Sequence, residues 1–310
     1  MRPQTSGNEY LFMVGCARTG STLLQHVLNR SPEICLAPET HFMKRSRKLG
    51  LASRLAAADS PARLRELAER LYTVDPESTR GGWAWLRRNV PIGTFVDLLG
   101  QTDGSERALF DLVMRVYAEW AKPGTSPRIL GEKTPGHIRH VPQLMEWFPN
   151  ARILHTFRDP RAIYSSELRR RRQGRWGLKS RLPAALAGII DPLLVPMQMV
   201  HTSIRWTQAA QLDHRYESEL GDRYLCVRFE DLVAEPDQQL RRVAQFVGLP
   251  YDPGMLEIRV TGSSYSQDRH AGSGFDASAA DRWRPHIGRI PGAWFRLALG
   301  RRLAEHGYRP

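Results

Sequence analysis

The sequence predicts an α/β fold of three layers, α/β/α, built on a parallel sheet of the phosphate-loop type with helical insertions. Three observations lead there. A short, continuous apolar run, residues 10–16 (YLFMVGC), closes on glycine and passes straight into a glycine-bearing turn. A helical pattern follows at 20–29, with Leu23, Leu24, Val27 and Leu28 on one face. Strand-like runs then recur downstream, each followed by helix-prone sequence, which is the signature of parallel strands joined by crossover helices.

Taken in order, Arg128–Leu130 and Arg152–Phe157 (RILHTF) read as further strands, and 223–229 (RYLCVRF) as another. Residues 236–247 (PDQQLRRVAQFV) read as a helix that opens on Pro236 and stops before Gly248. The stretch 44–122 is helical in pattern, through PARLRELAERLY (61–72) and SERALFDLVMRVYAEW (105–120). It reads as an insertion packed on the sheet, so residues 1–310 are expected to form a single domain. Residues 182–200 are the longest apolar run. Asp191 and the prolines 183, 192 and 196 argue against a membrane span, and a buried helix-loop-helix is expected. The same run could wall an apolar pocket. With Arg169 to Arg172 before it, it also suits contact with an anionic membrane surface.

Composition narrows the class. Of 310 residues, 41% are apolar and 25% charged, ordinary values for a folded globular chain. The net charge is +13, and all but five of the 45 basic residues are arginine. Such a balance is either a solvated arginine-rich surface or the mark of an anionic ligand. No zinc finger, RNA-recognition signature or basic zipper supports a nucleic-acid partner. Cys16, Cys35 and Cys226 are too few and too scattered for a disulfide framework, and no CxxC pair suggests zinc. A reducing, cytoplasmic setting is expected, with no signal peptide and no transmembrane segment.

The motif that carries most is GCARTGST (15–22). It joins the first strand to the first helix, where backbone amides and a helix N-terminus meet an anion. Gly15 and Gly20 permit the tight turn, Thr19, Ser21 and Thr22 offer hydroxyls, and the spacing matches G-x-x-x-x-G. A nucleoside triphosphatase needs lysine next, and here that position is Ser21. The positive charge lies inside the loop instead, at Arg18. A second basic site is HTFRDPRAIYSSE (155–167). Arg158 stands at a strand end before a helix opened by Pro160, suited to a second phosphate. Ser165 and Ser166 lie two turns further on. Simple capping through an Arg158–Asp159 pair is the structural alternative.

GCARTGST followed by RDPRAIYSS resembles the PAPS-dependent sulfotransferases, in the style of bacterial and protein-tyrosine members. VRFEDLVAEPDQQLRRVAQFVGLPYD (227–252) is similar to a third family segment. The resemblance implies 3′-phosphoadenosine-5′-phosphosulfate (PAPS) as co-substrate, adenosine 3′,5′-bisphosphate as product and no metal. It places Arg18, Thr19, Gly20, Ser21 and Thr22 on the phosphosulfate and Arg158 with Ser166 on the 3′-phosphate. Phe229 takes the place of a tyrosine near the adenine, and Arg282 with Ser278 falls in a loosely matching final loop (276–291). Glu39, in LAPETHF, is the implied general base, and Lys133, in GEKTPGH, stabilises the sulfuryl group in flight. Arg18 meets the charge on the leaving bridge. His137 and His41 are rival bases, with the better intrinsic pKa.

The expected acceptor is a small molecule with a hydroxyl: a secondary metabolite, sugar, lipid or tyrosine-bearing peptide. Segments 44–122 and 173–205, with Trp83, Trp85 and Trp176, are expected to build its pocket. A P-loop kinase or NTPase is the alternative enzyme, set back by Ser21. A binding module without catalysis is the third reading, set back by Arg18, Glu39 and Lys133.

Overall fold

The computed structural model describes residues 9–73, 83–172, 184–257 and 275–309. Expectations for Trp176 and the rest of 173–183 lie outside the described residues. Five strands form one parallel sheet in the order β2-β3-β1-β4-β5: β1 (Glu9–Gly15), β2 (Ile34–Ala37), β3 (Ile129–Lys133), β4 (Arg152–Phe157) and β5 (Tyr224–Arg228). The helices of the first half are α1 (Ser21–Leu28), α2 (Phe42–Leu49), α3 (Leu51–Ala56), α4 (Pro61–Thr73), α5 (Ala84–Asn89), α6 (Ile92–Gly100), α7 (Glu106–Ala121) and α8 (Val141–Trp147). Those of the second half are α9 (Pro160–Arg172), α10 (Ala184–Leu220), α11 (Phe229–Ala234), α12 (Pro236–Val247) and α13 (Arg289–Glu305). The expected α/β class, with its parallel sheet, is what the structure has.

The chain divides into two compact units. The first comprises Met1–Val14 and Leu28–Ile153. In it β3 pairs in parallel with both β1 and β2. Such a central strand has no face left for water, and Ile129 to Lys133 are all buried. α7 packs against β2 and β3. It begins at Ser105, whose side chain accepts from the Ala108 amide at 3.0 Å, as an N-cap should. An aromatic cluster fills the space around it. Tyr10 stacks on Phe148 at 3.9 Å, and Phe110 meets the edge of Phe42 at 5.0 Å. Trp83 and Trp85, expected to wall an acceptor pocket, belong to this interior: they are 3% and 8% exposed. Trp83 stacks near Phe42 and Trp85 on Trp120.

The second unit comprises Gly15–Val27 and Leu154–Pro310. α10 packs against α9, α13 and β5. Trp206 on α10 is fully buried, lies 5.3 Å from Phe157, and donates its indole N–H to the Arg158 carbonyl at 2.9 Å. Burying an aromatic of this size contributes roughly 2–3 kcal/mol, and its hydrogen bond fixes the end of β4 where Arg158 begins. The helix-loop-helix expected at 182–200 is instead the start of one continuous helix of 37 residues. Pro192 and Pro196 lie within it. Among the described residues no helix is long and apolar enough to cross a membrane.

Candidate active site

Within the second unit, the loop from Cys16 to Gly20 connects β1 to α1. Gly15 (φ 138°) and Gly20 (φ 81°) both occupy the region that favours glycine. Space demands glycine as well. A Cβ on Gly15 would lie 2.4 Å from the Thr156 carbonyl oxygen, and one on Gly20 would lie 2.4 Å from the Phe229 ring. Arg18 also adopts a positive φ, 71°, a conformation costing a non-glycine residue about 1–2 kcal/mol. The surroundings hold it there. Thr19 donates to the Cys16 carbonyl at 2.9 Å and shares a 2.7 Å hydrogen bond with Thr156. Arg18 Nε donates to Ser166 Oγ at 2.9 Å.

That last bond joins the two motifs that the sequence offered separately. Arg158 Nη1 donates to the Arg18 carbonyl at 3.1 Å, and Nη2 to the Ala279 carbonyl at 3.0 Å. The guanidinium lies over the Phe229 ring, 3.9 Å from its centroid. Phe229 is therefore in contact with Arg158 and against Gly20, and is 8% exposed. Ser21 is buried and Thr22 half-buried at the opening of α1. Arg282 is half-buried and turned to Asp276 and Ser278, while Asp276 caps the turn Ala277–Ala280 that Arg158 reaches through its backbone. Asp159 Oδ1 accepts from the Arg161 amide at 2.8 Å at the opening of α9, and the same carboxylate pairs with the Arg161 guanidinium at 2.8–3.2 Å.

Elsewhere in this unit His155, Asp213 and Cys226 bring ligand atoms within 4.8 Å of one another. The Tyr224 hydroxyl stands among them, 2.5 Å from Asp213 and 2.6 Å from His155 Nδ1. Asp213, Tyr224 and His155 Nδ1 thus form a polar network around the buried imidazole.

The first unit holds the other candidates. β2 and β3 run side by side with Ala37 opposite Glu132. The chain leaving β2 carries Glu39, and β3 ends on Lys133. Lys133 Nζ donates to Glu39 Oε1 at 2.7 Å, and His41 Nε2 lies 3.4 Å from Glu39 Oε2. The Glu39 side chain is 38% exposed and that of Lys133 is 7% exposed, so the carboxylate reaches solvent while the ammonium lies beneath it. His41 sits at φ 51° at the entry to α2. Burial depresses its pKa, and the Glu39 carboxylate offsets part of that.

Beneath this pair lies a network the sequence did not disclose. Glu132 is fully buried and accepts from the hydroxyls of Thr40 and Thr134, the latter at 3.0 Å, while His137 Nδ1 pairs with its other oxygen. His137 Nε2 accepts from the Met43 amide at 3.4 Å. The Thr40 amide donates to Thr134 Oγ1 at 3.2 Å, and Trp83 Nε1 donates to the Thr40 carbonyl at 3.2 Å. The backbone on the C-terminal side of Glu39 is thereby clamped to the end of β3. Both nitrogens of His137 are engaged, and it is 4% exposed.

Burial alone would raise the Glu132 pKa, but His137 and the two hydroxyls outweigh it and hold the carboxyl below the ordinary glutamate range. A depressed carboxyl pKa contributes stability above the unfolded-state value and loses it as pH falls through the folded-state value. Glu132→Ala is expected to cost about 3–5 kcal/mol in urea unfolding at neutral pH, with the difference from wild type shrinking on acidification. An unchanged midpoint would remove the clamp from this account.

A family model described as "Sulfotransferase family" matches residues 11–253, and the chain belongs to that family. It is 27% identical over 202 residues to an omega-hydroxy-beta-dihydromenaquinone-9 sulfotransferase of Mycobacterium tuberculosis, covering 60% of this chain and 48% of that protein. It is 22% identical over 248 residues to a protein-tyrosine sulfotransferase of Drosophila melanogaster, covering 79% and 39%. The chain thus spans about half the length, or less, of these relatives. A solved sulfotransferase domain from the olefin synthase of Synechococcus PCC 7002 shares the fold, with a TM-score of 0.54 and 21% identity over 97% of this chain and 98% of that one.

Proposed function

We propose that residues 1–310 act as one sulfotransferase domain that moves a sulfuryl group from PAPS to a hydroxyl of a small-molecule acceptor. The observation that carries this reading is the cluster of Arg18, Ser166 and Arg158. It sets two guanidinium groups and a hydroxyl beside a glycine-bearing strand–helix loop that lacks the triphosphatase lysine. A donor with a 5′-phosphosulfate and a 3′-phosphate needs two anion sites. In this reading the loop, with Thr19, Gly20, Ser21 and Thr22, takes the phosphosulfate, and Arg158 with Ser166 takes the 3′-phosphate. Phe229 contributes by supporting the Arg158 guanidinium beside the adenosine, and Arg282 by holding the turn at 276–280.

In the transfer, the acceptor oxygen forms a bond to sulfur as the bond from sulfur to the phosphate oxygen breaks. The acceptor proton passes to the Glu39 carboxylate, and adenosine 3′,5′-bisphosphate leaves. Negative charge grows on the bridging oxygen, where Arg18 acts electrostatically because guanidinium does not give up its proton. Lys133 stabilises the oxygens of the moving group. His137 acts as a positioning residue, since its two nitrogens are already committed to Glu132 and the Met43 amide. The reaction needs no metal in this scheme.

The acceptor is read as far as a hydroxyl, because the relatives are named for a hydroxylated menaquinone and for protein tyrosine. Helical segments within 44–122 and 173–205 are proposed to select it. Cys16, Cys35 and Cys226, none of them in a disulfide, suit a reducing, cytoplasmic setting.

The test is an acceptor screen with PAPS read by mass spectrometry as an added SO₃, in buffer containing EDTA. Transfer that persists in EDTA is expected. Binding and hydrolysis of magnesium ATP, without binding of adenosine 3′,5′-bisphosphate, would overturn the proposal in favour of a nucleoside triphosphatase.

A further inference from the structure

Seven large apolar side chains are exposed among the described residues, and six of them lie on α10 and α13. Scatter would not place them so. Met197, Val200 and Ile204 follow helical spacing along one face of α10, and Ile290, Trp294 and Leu297 do so along α13. The two helices pack together. The Trp294 indole N–H donates to Ser203 at 3.1 Å, next to Ile204 and one turn from Val200, so the two rows meet edge to edge.

α13 explains why this face is unusual. Its inner row, Phe295, Leu299 and Leu303, is buried as a core-packed helix requires. Yet its outer row is also apolar, with Ile290 79% and Leu297 84% exposed. Apolar residues thus stand on its outer row as well as its inner one, and a concentrated exposed apolar patch marks an interaction surface.

Charge selects the partner. The exposed charged residues of α13 before its last turn are Arg289 and Arg296, and Arg301 and Arg302 follow. The helix has one acid, Glu305, paired with Arg301 at 3.0 Å. α10 carries no acid from Val195 until Asp213. A second copy of the same face would bring like charges together. An anionic bilayer offers hydrocarbon for the apolar rows and phosphate for the arginines. Trp294, 37% exposed with its N–H already bonded, has the amphipathic character found at the headgroup level.

We infer that the face formed by Met197, Val200, Ile204, Ile290, Trp294 and Leu297 docks the enzyme reversibly on an anionic lipid surface. The inference stands apart from the identity of donor and acceptor, and its test reads binding rather than activity. Full-length protein is floated with vesicles of phosphatidylglycerol and phosphatidylcholine, and with phosphatidylcholine alone. Binding to the anionic vesicles is expected, with little to the neutral ones. Ile290→Ser with Leu297→Ser should lower partitioning at least about tenfold, since each substitution removes three apolar carbons from burial and adds a hydroxyl. These positions are exposed, so circular dichroism should match wild type. Arg289→Gln with Arg296→Gln should lower it by on the order of tenfold and flatten the salt dependence. Three results would overturn the proposal: no flotation with anionic vesicles, flotation the serine variant leaves unchanged, or a concentration-dependent dimer in sedimentation that the serine variant abolishes. The last would give this face to a second copy of the chain.

Discussion

Glu39→Gln is expected to lower turnover by about 10²–10⁴-fold, the span that general-base assistance supplies, while leaving the affinity for adenosine 3′,5′-bisphosphate unchanged. The substitution is nearly isosteric. The glutamine carbonyl can still accept from Lys133 Nζ, now 2.7 Å from Glu39 Oε1, and the position is open enough that no core contact is lost. What disappears is an oxygen able to take a proton. The replacement also leaves the Lys133 ammonium, 7% exposed, without its counter-ion. A control is therefore needed for lost charge rather than lost basicity. Glu39→Asp supplies it: charge returns but the carboxylate is withdrawn by one methylene, so partial recovery of turnover is expected. Near wild-type turnover in Glu39→Gln would move the base elsewhere. His41 is then the better histidine, because both nitrogens of His137 are committed. A His41 base has its own signature. Activity would fall on acidification only below the ordinary histidine range, since burial depresses its pKa.

Sequence reasoning succeeded where local signals agreed with tertiary need. α12 runs from Pro236 to Val247, and Gly248 closes it at φ 79° in the left-handed region, because a proline at the first turn and a glycine past the last leave little choice. β4 spans RILHTF for a related reason: Ile153, Leu154 and Phe157 give it a short apolar run, and Pro160 opens a helix just beyond it. β2 shows the opposite case. ICLA is a four-residue run with no periodicity, and its identity as a strand comes from pairing with β3, with Ile34 opposite Ile129. β3 itself continues through Gly131, Glu132 and Lys133, residues that look like a turn or a surface. A buried glutamate reads as a strand residue only once His137 and two threonine hydroxyls are known to satisfy it. In α10, Pro192 and Pro196 are local breakers, and contacts with α9, α13 and β5 accompany a helix that runs through them. The candidate site follows the same rule. The bond from Arg18 to Ser166 and the approach of Arg158 to the Arg18 carbonyl join two motifs that local sequence offers only separately. The approach of Lys133 to Glu39, across 94 residues, depends on the unforeseen β2–β3 pair. Only the family resemblance implies that those two residues serve one reaction.

Arg158→Ala is expected to weaken adenosine 3′,5′-bisphosphate binding by roughly 10- to 150-fold, the equivalent of about 1.5–3 kcal/mol for hydrogen bonds to a charged group. Two effects contribute, and they can be separated. The first is the direct loss of a cation for the 3′-phosphate. The second is structural: Nη1 and Nη2 hold the Arg18 and Ala279 carbonyls, so the side chain braces the 16–20 loop against the turn at 277–280. Arg18 needs that bracing because it sits at φ 71°, and slackening it should displace the guanidinium that Ser166 holds at 2.9 Å. Arg158→Lys restores a point charge but not the planar fork, nor its contact with Phe229 at 3.9 Å. If charge dominates, the lysine variant recovers most of the affinity. If bracing dominates, it recovers little, and Ser166→Ala reproduces part of the defect without removing any charge. Calorimetry with adenosine 3′,5′-bisphosphate and with adenosine 5′-phosphate distinguishes the site itself. The nucleotide lacking a 3′-phosphate should bind wild type and Arg158→Ala with similar, weak affinity if the direct contact is the larger effect. Unchanged binding of the bisphosphate in Arg158→Ala would show that this arginine serves the fold alone, and the 3′-phosphate would have to be sought at another cation.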